Sequence, residues 1–145
     1  MLELYGSGLL LKTLMDVVAD VCGPKEANRI AYKAGEEIGA RVTDKLLPET
    51  DPEKALRTLA EYVRPYLYIQ VKRKKESGGV TEFEVSYPRC MIRTISRGAV
   101  PGPLCRAKAG WIESALMGMT GLQVKMETDR IQADKNICYG RIIFG

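Results

Sequence analysis

The apolar residues of this chain change their period at Pro65, and few folds accommodate that change. Up to Val63 they recur every three or four residues, the spacing of one helix face, and from Tyr66 they alternate, the spacing of one sheet face. The first helix reads from Ser7 to Cys22 on Leu10, Leu11, Leu14, Val17, Val18 and Val21. Gly23-Pro24 ends it and starts the next. From Lys25 to Leu47 the apolar series is Ala27, Ile30, Ala31, Ala34, Ile38, Val42 and Leu46, an amphipathic helix of about six turns. Gly35 and Gly39 share one face of it, each costing about 1 kcal/mol relative to alanine. They predict close approach of another helix or the sheet, with room for a ligand against bare backbone as the alternative. A third helix opens on Asp51 as cap, Pro52 in the first turn and Glu53 toward the positive end of the dipole. It buries Ala55, Leu56, Leu59, Ala60 and Val63 and stops at Pro65.

Two alternating stretches follow, Tyr66 to Lys74 and Val80 to Tyr87, joined by Ser77-Gly78-Gly79, and they predict a hairpin. The segment from Tyr87 to Pro103 is irregular, with Pro88, Gly98, Pro101, Gly102 and Pro103; Met91-Ile92 and Ile95 fit a short helix or a strand equally. From Leu104 to Thr120 the pattern is helical and apolar nearly all round, the mark of a buried helix, and Gly121 stops it. Leu122–Ile131 and Ile137–Phe144, joined by Ala133-Asp134-Lys135-Asn136, predict a second hairpin. Helices first and strands after them define an α+β fold: N-terminal helices packed on an antiparallel sheet of about four strands, with a buried helix between two hairpins.

At 145 residues the chain is expected to form one domain, 1–145. No apolar run is long enough to span a bilayer and no secretory leader is evident, so a cytoplasmic protein is expected. Twenty-two Lys and Arg against 18 Asp and Glu give a net charge of +4. Much of the excess sits in Lys72-Arg73-Lys74-Lys75, which has no interleaved aromatic residue to stack on bases and reads as a solvated hairpin end, not a nucleic-acid site. Histidine is absent. That removes every Ser-His and Cys-His arrangement within the chain. Gly6-Ser7-Gly8 is too short for a phosphate loop, and no dinucleotide fingerprint occurs. Catalysis is therefore the minority expectation. The irregular spacing of Cys22, Cys90, Cys105 and Cys138 fits neither a zinc finger nor a redox pair, so each is expected reduced, as a small apolar residue.

Particular residues add a resemblance. Cys105-Arg-Ala-Lys-Ala-Gly110-Trp111-Ile-Glu-Ser-Ala-Leu116, then Thr120-Gly121-Leu-Gln-Val124-Lys-Met126-Glu127, and finally Cys138-Tyr-Gly-Arg-Ile-Ile-Phe144, resemble the 4-vinyl-reductase-like (hydrocarbon-binding) domain within the heme-NO-binding and transport-particle-like fold. Tyr32-Lys-Ala-Gly35-Glu-Glu-Ile-Gly39 is similar to its early helix. The resemblance implies a sensor or carrier domain for a hydrophobic or aromatic small molecule. Trp111, Met117 and Met119 over Tyr68, Phe83, Met126 and Phe144 would line the pocket. Without the resemblance these residues read as plain core.

The same resemblance implies zinc in some members. Here Cys105, Cys138 and Cys90 are the sulfur candidates, and Asp129 or Glu127 the oxygen ligand. A last hairpin turning symmetrically would set Ile131 opposite Cys138 and place Asp129 about 7 Å along the same face, nearer than Glu127. Two departures stand against the family pattern: Arg130 occupies the position of a cysteine eight residues before the last one, and the usual Gly-Asp turn is replaced. Because similar transport-particle folds dimerise through helices, the resemblance also implies a homodimeric interaction scaffold built on the 25–47 helix. A tetrapyrrole vinyl reductase accessory enzyme is the remaining alternative.

Overall fold

The structure, a computed structural model, describes residues 2–96, 102–132 and 134–145, with side chains from Gly6 onward. Gly98 and Pro101 of the irregular link, and Ala133 of the last turn, lie outside the described residues. The order is α1 (Leu2–Cys22), α2 (Pro24–Thr43), α3 (Pro52–Val63), β1 (Leu67–Ser77), β2 (Val80–Cys90), α4 (Met91–Ile95), α5 (Pro103–Thr120), β3 (Val124–Gln132) and β4 (Ile137–Phe144). This is the α+β architecture expected. The ambiguous residues at Met91–Ile95 form a short helix running straight on from β2.

Local chemistry accounts for most boundaries. Gly23 takes φ 88°, a conformation open to glycine, and hands the chain to Pro24 at the first helical position. The Asp51 side chain accepts from the Lys54 N–H at 2.9 Å and caps α3. Gly78 and Gly79 both have positive φ, as a two-residue hairpin turn requires, and set Ser77 opposite Val80. Gly121 closes α5 in the left-handed conformation, its N–H reaching the Met117 carbonyl. The second helix ends four residues earlier than its periodicity suggests: Leu46 packs on the core from a turn, while Leu47 is exposed.

The two hairpins join through β2 and β4 into one antiparallel sheet of order β1-β2-β4-β3. One face of it receives α5. Phe83, Val85, Tyr87, Ile142 and Phe144 meet Ile112, Leu116 and Met119 in a single core to which α3 adds Leu56, Leu59 and Val63. Phe83 and Phe144 pack edge to face at 5.8 Å. Each such side chain withdrawn from water contributes about 1.5–3 kcal/mol. The basic run lies on the exposed half of the first hairpin, where Lys74 pairs with Glu53 and Glu76, and Lys75 with Glu84.

The first helix forms, but of the apolar series that predicts it Val18 packs inward while most of the rest faces outward. Gly8 and Met15 face inward, with Met15 against Ala27, Ala31 and Leu104, whereas Leu10, Leu14, Val17 and Val21 lie exposed, the last at 78%. A smaller, tighter face won the contact with α2. Gly8 lies against the Ile95 side chain, so close that a Cβ would collide with it.

Candidate functional site

The site is organised by α5, held between α2 and the sheet. Gly35 of α2 meets the Ala107 carbonyl, and Gly110 of α5 meets the Tyr32 carbonyl, so closely that a Cβ at either would run into backbone. Ser114 Oγ donates to the Glu36 carbonyl at 3.0 Å across the same seam. Gly39 likewise meets the Trp111 carbonyl, so Gly35 and Gly39 serve close helix packing, the first of their two sequence readings. Within α5, Lys108, Glu113 and Thr120 are buried among apolar groups, whereas Arg106 is exposed.

Around the first turns of α5 lies a polar knot. Arg93 of α4 donates through Nη1 to the Tyr87 carbonyl at 2.8 Å and to Cys138 Sγ at 3.3 Å, and through Nη2 to the Pro88 carbonyl at 3.1 Å. Lys108 Nζ stands 4.4 Å over the Tyr87 ring. Burial pushes the Tyr87 hydroxyl far up from its usual range, with Cys90, Cys138 and Asp129 nearby adding to the shift. Among the described residues, Tyr87 Oη, Arg93 Nε and Trp111 Nε1 are buried without a hydrogen-bond partner.

In front of the knot runs a cleft of about 690 Å³ between α5 and the outer strand β3. Cys105, Arg106 and Ala109 form one wall and Lys125 to Asp129 the other, with Asn28, Gly102 and Arg141 at its margins. Its volume falls within the range of sites for drug-sized ligands. Farther along the α5–β3 seam, Tyr32 Oη donates to both Glu113 oxygens at 3.2 Å, and Arg106 covers the Tyr32 ring at 5.0 Å. Burial raises the Glu113 carboxyl above its ordinary value; Tyr32, Arg106 and the Met126 backbone N–H pull it partly back. Burial and the Glu113 charge in turn push Tyr32 up to about 12.

The residues considered for a metal are divided by the sheet. Ile131 stands opposite Cys138, as simple register predicts, but a bulge between Thr128 and Arg130 breaks the alternation beyond it. Glu127 then pairs with Arg141 on the opposite sheet face from Cys138. Arg141 gathers Glu127, Asp129 and Glu82 there, with Asp129 at 3.1 Å. The register reading that set Asp129 beside Cys138 is thus corrected by the bulge. Arg130 stacks over Tyr139 at 4.3 Å. Of the sulfurs, Cys90 and Cys138 are buried, with the Arg93 guanidinium on Cys138. Cys105 is half-buried at the cleft, and burial pushes its thiol up. Among the described residues no three Cys, Asp or Glu side chains come together to hold a cation. A structural zinc requires deprotonated sulfur and a closed set of four ligands. With Glu127 and Asp129 held by Arg141 on the other sheet face, no such set is assembled among the described residues.

Of the residues considered for an apolar pocket, Met126 lines the α5–β3 cleft. Phe83 and Met119 lie in the core, and Trp111 and Met117 pack half-buried on it. Tyr68 lies under Arg64, in a second cleft between α3 and β1. Sequence reasoning missed Tyr87, Arg93, Lys108, Glu113 and Arg141. Lys108 and Glu113 did carry a signal, as charged residues in a helix whose pattern says it is buried all round.

No family model matches the chain, and no curated protein matches its sequence. Solved structures do share its fold. The phenol-responsive sensory domain of the transcription activator PoxR, with phenol, superposes at a TM-score of 0.73 and 12% identity, covering 94% of this chain and 73% of that one. A trafficking protein particle complex subunit 3 from Naegleria fowleri, covalently bound to palmitic acid, gives 0.61 at 15% identity, covering 96% and 95%. At these identities the likeness is one of fold.

Proposed function

We propose that this chain is a small-molecule-binding module of the 4-vinyl-reductase-like kind, acting as a sensor or carrier for a hydrophobic or aromatic ligand. The observation that carries the reading is a shared fold: the chain superposes along nearly its whole length on a sensory domain that holds phenol. Here that fold sets a ligand-sized cleft against α5, the helix whose motif carries the resemblance. Met126 and Ala109 supply apolar wall, and Cys105, Arg106 and Asn28 supply polar contacts at the mouth. Native mass spectrometry of protein purified without chelator tests this. Co-purified organic mass, or saturable thermal stabilisation by phenols or medium-chain lipids, is the expected outcome. A protein that carries no organic mass and responds to none of these compounds would overturn it.

A second reading, a homodimeric scaffold similar to transport-particle subunits, is favoured by α1. Leu10, Leu14, Val17 and Val21 fall on one stripe and are all exposed. A second copy laying its own stripe against this one would cover them, as two-fold helix packing does. Light scattering on the eluting protein tests it: a dimer that Leu14→Asp converts to monomer supports the scaffold, and a wild-type monomer at micromolar concentration sinks it.

A further inference from the structure

Two buried cations in this fold form no ion pair among the described residues. Arg93 is 4% exposed and Lys108 5%. None of the ion pairs among the described residues includes either one. The sequence from 97 to 101, Arg-Gly-Ala-Val-Pro, contains no carboxylate. The nearby acids of β3, Glu127 and Asp129, are held by Arg141. Burying a charge without a counter-ion is strongly unfavourable, and an aromatic face compensates only part of it. Two unpartnered groups lie about one residue: the Tyr87 hydroxyl is without a partner, and Arg93 bonds the Tyr87 carbonyl while its Nε stays free of any acceptor among the described residues; Lys108 Nζ sits over the same Tyr87 ring. In α5, Lys108 lies between Cys105 and Ala109, both on the wall of the cleft.

We infer that the ligand carries a carboxylate on an apolar body, and that Lys108, Arg93 and the Tyr87 hydroxyl form its receiving site; this rests on the small-molecule-binding reading above. The carboxylate accepts from the ammonium, from Arg93 Nε and from the Tyr87 hydroxyl, supplying the missing counter-charge. Its apolar part extends along Ala109 and Met126. An alcohol of the same length offers the same apolar contact but no charge, so the site discriminates between them.

Calorimetry with decanoate and decanol, and with benzoate and benzyl alcohol, tests this on the full chain. Within at least one pair the acid is expected to bind tenfold or more tighter than its alcohol. Lys108→Met should bring that acid down to the alcohol's affinity while raising the melting temperature of the ligand-free protein. Tyr87→Phe, which removes one hydroxyl, should weaken the acid several-fold and leave the alcohol unchanged. Alcohols that bind as tightly as acids, or a Lys108→Met protein that binds the acid as the wild type does, would overturn the inference and leave small-molecule binding standing. No binding by any of the four would overturn both.

Discussion

Arg93 donates to the thiol of Cys138 at 3.3 Å, and both side chains lie inside the fold. A guanidinium thus stands where the sequence motif invites a metal. Protein purified without chelator is expected to contain far less than one zinc per chain by elemental analysis. Its melting temperature should be unchanged by EDTA. One tightly held zinc, lost on Cys138→Ser, would contradict this reading of the cysteines.

The α2–α5 seam admits no side chain at Gly35, where a Cβ would meet the Ala107 carbonyl. Gly35→Ala gains helix propensity of about 1 kcal/mol, but forcing the two backbones apart costs more. A net destabilisation of about 1–3 kcal/mol is expected in urea unfolding. By contrast, alanine at Gly6, which lies within α1 with open space around it, should stabilise the protein by up to about 1 kcal/mol.

The cap of α3 is a simpler case. Asp51→Ala removes the acceptor of the Lys54 N–H and should cost about 1 kcal/mol. Asp51→Asn should recover most of it, because the cap needs an oxygen more than a charge. An unaltered urea midpoint for Asp51→Ala would show that α3 is held by its core face alone.

Glu113 gives stability a specific pH dependence. Burial raises its carboxyl in the folded chain above the ordinary value of about 4.3, so the folded state holds this proton more tightly than the unfolded state does. Its contribution is therefore unfavourable above the raised value. That penalty is relieved as pH falls through it and vanishes below the ordinary carboxylate range. Glu113→Gln is expected to stabilise the protein at pH 7, still accepting from Tyr32, and to lose that advantage toward pH 4. Urea titrations at the two pH values check it; a gain that grows toward pH 4 would reverse the assignment.

Much of this architecture was legible because local and global preferences agree. The Gly78-Gly79 turn, the Asp51-Pro52 start, the Gly121 stop and the all-round apolar α5 each specify an element, and their order gives the α+β class. What failed did so for tertiary reasons. The apolar stripe of α1 faces outward because Gly8 and Met15 allow a closer contact than leucine does. Asp129 left the Cys138 face through one extra residue in β3, which no alternation pattern announces. The knot around Tyr87 joins residues from β2, α4, α5 and β4 that no sequence spacing brings together.

Methyl resonances of the six methionines test the central claim most directly, since Met126 lies on the wall of the α5–β3 cleft. Titrated with phenol and with decanoate, the Met126 methyl signal is expected to shift saturably with at least one of them. A Met126 signal that stays in place while both are in large excess would contradict ligand binding in this cleft.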